Sequence, residues 1–167
     1  MLLQFKAQLL QKYIEPKLKL LCDYNHIKLV TDNSIKSLVS IENKISKGKK
    51  IKDSLRYTIV CDLDNYTTVC DLLEHSYDCS STNHWIQNKA YNGYHISVLD
   101  YCIPFEIQVH TKRSLYWRDT DVSRKVYRSK FRKYLQPMMY LLSILCQIEA
   151  LYLYPRYVSN RQQLYKK

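Results

Sequence analysis

Glycine is almost missing from this chain, and that narrows the possible folds more than any other feature. Only Gly48 and Gly93 occur among the 167 residues. A phosphate-binding P-loop or a dinucleotide fingerprint needs several glycines in one short window, so both are excluded. The two that remain mark positions where the backbone has a special requirement. Gly48 lies in the basic turn Lys47-Gly48-Lys49-Lys50. Gly93 follows Asn92, and an Asn-Gly pair predicts a tight turn with positive φ just before a strand.

Size and charge bound the remaining choices. A chain of 167 residues suits one domain and buries roughly two-thirds of its unfolded surface. Hydrophobic residues at 46% and charged residues at 25% are ordinary globular values. The net charge of +11 fits a protein that works beside polyanions, whether nucleotide, RNA, DNA or anionic membrane, and equally a plain solvated basic surface. The six cysteines (Cys22, Cys61, Cys70, Cys79, Cys102, Cys146) include no C-x-x-C pair, which points to buried reduced thiols rather than a disulfide framework or zinc ribbon. Polar residues interrupt both the first apolar stretch and the run Met138–Leu153. The expectation is therefore a cytoplasmic protein without a signal peptide or membrane span.

The hydrophobic periodicity predicts an N-terminal helix over 2–24, with Leu9, Leu10, Tyr13, Leu18 and Leu21 on its apolar positions and Pro16 kinking or splitting it. A strand or connector follows at 26–30. A second helix is expected over 34–45, where Lys36, Ser40 and Lys44, spaced by four, line one face. Strands are expected at 55–61, 94–99 and 105–111, and a helix at 66–75. The segment 77–88 reads as irregular. A long basic helix over 112–134 and a more apolar one over 136–153 complete the pattern. Strands interleaved with helices give an α/β (α+β) fold, a small mixed β-sheet flanked by helices with further helices at the C-terminus.

The clearest chemical pattern is Phe105-Glu106-Ile107-Gln108-Val109-His110-Thr111. Alternation puts Phe105, Ile107 and Val109 on one face and Glu106, Gln108 and His110 on the other. The polar face is either the solvated back of a half-exposed strand or the wall of a cleft. Upstream, Lys89 and Tyr94 flank the Asn92-Gly93 turn, where an aromatic ring at a strand entrance can stack on a base.

Four motifs occur in order: Lys36-x-x-x-Ser40-Ile41-x-x-Lys44; Ile51-x-Asp53-x-Leu55 leading into a strand; Trp85-Ile86-x-x-Lys89 followed by Asn92-Gly93-Tyr94; and Glu106-Ile107-Gln108-Val109-x-Thr111. This order resembles the synthetase domain of the RelA/SpoT family over residues 32–127. Residues 1–31 would then form an N-terminal helical region, and 128–167 a C-terminal helix and tail. The resemblance implies a nucleotidyltransferase-like fold and transfer of pyrophosphate from ATP to the 3′-hydroxyl of a guanine nucleotide, GDP or GTP. A growth-inhibiting toxin acting on tRNA or adenine nucleotides, and an inactive binding module, are the alternatives. It implies Asp53 and Glu106 as Mg²⁺ ligands, with Glu106 also taking the proton of the attacking hydroxyl, and carboxylates within about 8 Å of each other. Lys36, Lys44 and Lys89 would meet the triphosphate. Tyr94 would stack on the acceptor base with Asn92 shaping its pocket, Gln108 would support Glu106, and Ser40 and His110 complete the nucleotide-binding set. An antitoxin protein and a second copy of the chain are the implied protein partners. The chain departs from the family pattern at Ser34, Asn88, Val98 and His110. A basic helical face carrying Arg124, Lys125, Arg128 and Arg132 would suit either an RNA backbone or solvent.

Overall fold

A computed structural model describes residues 2–32, 34–51, 53–84, 93–99 and 103–119, together with Tyr134 and Ile148. The helix α1 (Leu2–Tyr24) buries Ala7, Leu10, Ile14, Leu18 and Cys22, one residue per turn. Leu9 and Tyr13 are exposed instead, so the inward stripe is narrower than the apolar sequence suggests. Pro16 neither splits nor ends the helix. It lies on the exposed side of the helix. His26, at φ 54°, and the bond from Ile27 N–H to the Cys22 carbonyl close α1 in a left-handed cap.

Five strands follow: β1 (Lys28–Val30), β2 (Leu55–Val60), β3 (Cys79–Asn83), β4 (Tyr94–Val98) and β5 (Phe105–His110). Their spatial order is β1-β2-β5-β4-β3, with β2 and β5 parallel and the other pairs antiparallel. This is the expected mixed sheet, with β3 added where the sequence reads as irregular. The helices α2 (Leu38–Ile45) and α3 (Tyr66–Ser76) separate the strands, and α4 begins after β5 and is described over Lys112–Asp119. The second helix starts four residues later than its periodicity suggests, because Ser37 caps it and Ile35 bridges to Leu55.

Alternation divides the sheet into two unlike faces. Leu55, Tyr57, Ile59, Tyr94, Ile96, Val98, Phe105, Ile107 and Val109 are buried in one cluster with the inward residues of α1 and α3. The reverse face carries Arg56, Thr58, His95, Ser97, Glu106 and Gln108, matched across the register Arg56↔Glu106↔Ser97 and Thr58↔Gln108↔His95. Cys22, Cys61 and Cys70 are buried free thiols. Burial pushes the first two up to about 11 and about 12. No helix among the described residues is long and apolar enough to cross a membrane. Most of the expected basic helix, the apolar helix over 136–153, Cys102 and Cys146 lie outside the described residues.

Candidate active site

The polar face is organised around two carboxylates. Asp53 stands in the turn entering β2 and is 5% exposed. Its Oδ1 meets Lys44 Nζ at 2.8 Å, and its Oδ2 meets Lys36 Nζ at 2.6 Å and an Arg56 terminal nitrogen at 2.7 Å. Burial by itself would raise the Asp53 carboxyl. The hydrogen bonds from Lys36 and Lys44, with the charges of Lys36 and Arg56, outweigh it and hold the group down at about 2. Lys36 is lowered by its own burial against the pull of Asp53, whereas for the more exposed Lys44 the attraction of Asp53 overcomes burial and raises it.

Glu106 lies on β5 beside Arg56. Its Oε1 is 2.9 Å from Arg56 Nε and accepts a 2.6 Å hydrogen bond from Gln108 Nε2. Neighbouring nitrogens of one planar guanidinium thus touch both acids, which keeps their carboxylates within about 8 Å. Arg56 Nε is buried without an aligned hydrogen bond, so its contact with Glu106 is an ion pair out of line. Arg118, from α4, donates to Thr58 Oγ1 and to Gln108 Oε1, each at 2.9 Å. Gln108 is thereby fixed with its amide nitrogen toward Glu106. On the far side, His95 Nδ1 is 3.7 Å from Glu106 Oε2, and the His84 ring stands edge-on to His95 at 4.5 Å. Burial holds the His95 imidazole down at about 4, against the attraction of Glu106.

Two oxygen-donor carboxylates this close suit a hard divalent cation that takes its other ligands from phosphate and water. No third acid, histidine or cysteine completes a metal cluster among the described residues. By donor chemistry alone, Asp53 and Glu106 fit Mg²⁺.

No family model matches the sequence, and no curated protein matches it. Solved structures do. A GTP pyrophosphokinase family protein from Streptococcus pneumoniae shares 15% identity over 87% of this chain and 88% of its own, with a TM-score of 0.64. Small alarmone synthetase 1 from Bacillus subtilis, bound to its product pppGpp, shares 17% identity over 91% of this chain and 94% of its own, at 0.61. The Type VI effector Tas1, solved in complex with its immunity protein, shares 23% over 74% of this chain and 66% of its own, at 0.57. The chain has the small alarmone synthetase fold.

Within this synthetase fold, Lys36, Lys44, Asp53, Glu106 and Gln108 come together. Lys36 and Lys44 do so without sharing a helix face, since Lys36 precedes the Ser37 cap and only Lys44 is helical. Ser40 is occupied at that cap, its N–H and hydroxyl both bonded to Ser37 Oγ, and takes no part in the cluster. Tyr94 is a correction. It pairs with Val109 rather than Glu106, its ring is 1% exposed on the core face, and its hydroxyl donates to Glu74. It cannot stack on a base from there. His110 is a second correction, wholly buried at the end of β5 with Nδ1 2.9 Å from Ser114 Oγ, where it anchors α4. Gly93 serves that ring, because a Cβ there would lie 2.7 Å from His110 Cε1. Positive φ belongs to Gly48, at 62°, and not to Gly93. Lys89 and Asn92 lie outside the described residues.

Sequence reasoning missed Arg56, Arg118 and His95 in this synthetase fold. The signal for two of them was present: in both Leu55–Val60 and Tyr94–Val98 the apolar residues alternate with Arg56 and His95, which places those two on the reverse face. Nothing in the sequence of α4 singles out Arg118 from its basic neighbours.

Proposed function

We propose that this chain is a pyrophosphotransferase that moves the β,γ-pyrophosphate of ATP to the 3′-hydroxyl of a guanine nucleotide. The observation that carries this reading is the convergence of Lys36, Lys44 and Arg56 on Asp53 beside Glu106. Three cations against one buried carboxylate make a site whose positive charge exceeds its internal anions, which suits a polyphosphate. The guanine acceptor is supported by the shared fold with a synthetase solved with pppGpp.

In this reading the donor triphosphate lies on the β2 side, against Lys36, Lys44 and Arg56. Glu106, at the centre of the face, accepts the proton of the attacking 3′-hydroxyl, and Gln108 and Arg118 hold its carboxylate in place. AMP leaves as the pyrophosphate is taken up by the new oxygen. Asp53 and Glu106 would hold Mg²⁺, which would supply neutralisation of the charge on the transferred group. Catalysis is then positioning and charge stabilisation by side chains gathered on one face of the sheet.

The test is chromatography of products from ATP labelled in its β- and γ-phosphates, offered with GDP, GTP, AMP and tRNA in parallel. Label should move to GDP or GTP. Transfer only to AMP or tRNA would replace the acceptor and keep the chemistry, and no transfer to any of them would favour a binding module. The shared fold with the effector Tas1 supports a toxin role, and growth should then stop on expression of the protein and recover with Glu106→Gln.

A further inference from the structure

We propose that Arg56 is a transferable counter-cation: it closes the seat between Asp53 and Glu106 in the free protein and leaves it for an incoming polyphosphate. Divalent metal therefore binds tightly only with or after the donor. The inference deepens the pyrophosphotransferase reading and rests on it.

The geometry sets the two states apart. One guanidinium touches Asp53 Oδ2 at 2.7 Å and Glu106 Oε1 at 2.9 Å, so the two acids that would share a cation are already bridged by Arg56. Charge points the same way. Among the described residues, Asp53 and Glu106 contribute two negative charges to the seat and Lys36, Lys44 and Arg56 contribute three positive ones, a net positive balance. Arg118, the next cation along this face among the described residues, is engaged with Thr58, Gln108 and Asp119. A dication added alone meets like charge at close range, where the repulsion is far stronger than in bulk water. A polyphosphate reverses the sign and offers Arg56 a better partner, because a planar fork matches phosphate oxygens in pairs.

Arg56 is also built to move. Its side chain is 42% exposed while that of Asp53 is 6% exposed. Its Nε lacks an aligned hydrogen bond, so release from Glu106 breaks only an ion pair, and the single directed bond to be exchanged for phosphate is the 2.7 Å one to Asp53. Lysine could not perform the same task, since a single ammonium cannot span both carboxylates through separate nitrogens.

The experiment is a titration of Mn²⁺, with no nucleotide present, into wild type, Arg56→Gln and Arg56→Lys, followed by electron paramagnetic resonance. Metal-free tripolyphosphate binding to each is measured by calorimetry, and thermal melts establish that each variant is folded. Arg56→Gln should bind Mn²⁺ at least about tenfold more tightly than wild type, because one positive charge has left the seat. Arg56→Lys should fall between them, and Arg56→Gln should bind tripolyphosphate more weakly than wild type. Adding Asp53→Asn to Arg56→Gln should abolish the gain in Mn²⁺ affinity. Equal Mn²⁺ affinity in wild type and Arg56→Gln would overturn the proposal while leaving pyrophosphate transfer standing if wild type still makes product. Tighter Mn²⁺ binding by Arg56→Gln, in a protein that transfers no label to any acceptor, would support the closed seat and overturn the pyrophosphotransferase reading.

Discussion

Along β5, Phe105, Ile107 and Val109 are wholly buried under α1 and α3, whereas Glu106 and Gln108, one residue away, face Arg56, Arg118 and His95. Both faces of the sheet are well packed, yet they are held by different forces. The apolar face gains from removing hydrocarbon from water, a non-directional effect that adds up over many residues. The polar face depends on a few directed contacts, and it is left with more cation than anion. A face optimised only for stability would balance those charges. The imbalance among the described residues suits the anionic substrate of the proposed transfer.

Substitutions on the two faces should therefore fail in different ways. The largest change in stability is expected on the apolar side. Phe105 is fully buried and meets Tyr57 and Tyr77 edge-on, at 6.4 Å and 5.9 Å. Phe105→Ala should lower unfolding free energy by about 3–5 kcal/mol in a denaturant titration. A loss under about 1 kcal/mol would mean that this face is not the core.

A smaller effect is expected from His95, on the polar side. Its folded-state value is depressed to about 4 from the ordinary 6.5, chiefly by burial. The unfolded chain then binds a proton that the native state refuses. Stability should be at its full value above pH 6.5 and fall progressively as the pH drops from there to about 4, by about 3 kcal/mol in all. His95→Gln should flatten that slope in melts of the metal-free protein, and an unchanged slope would assign it to other groups.

The smallest effect is expected from Tyr94→Phe, and it separates the faces most sharply. Losing the hydroxyl bond to Glu74 should cost about 1–2 kcal/mol of stability. Turnover should be nearly unaltered, because the ring lies under the sheet. A large rise in KM for the acceptor at constant stability would return Tyr94 to the site.

Tyr94 also shows what the sequence could and could not convey. Its own strand alternates Tyr94, Ile96 and Val98 inward against His95 and Ser97, so its burial was legible from local pattern alone. The resemblance to a nucleotide-stacking tyrosine pulled the other way. The strands β2, β4 and β5 were readable because each buries one apolar row. The strand β3, Cys79-Ser80-Ser81-Thr82-Asn83, was not, since it is a polar edge strand whose order comes from backbone pairing with β4. The acids were found by motif, but the residue that joins them was not. Arg56 is adjacent to Glu106 only through the parallel register of β2 and β5, a relation between segments fifty residues apart. His110 looked like a site residue by alternation, and its burial follows from how α4 and Gly93 close over the strand end.

The central claim is that the polar face carries out the transfer while the apolar face only supports it. It is tested most directly by comparing Glu106→Gln with wild type, following label from ATP to GDP and the melting temperature in the same preparations. Gln at 106 keeps the shape of the side chain and can still face Arg56 and Gln108, but it cannot accept a proton. The account predicts transfer by wild type, loss of transfer by at least about a hundredfold in the variant, and melting temperatures close to one another. Undiminished transfer by a folded Glu106→Gln protein would contradict it.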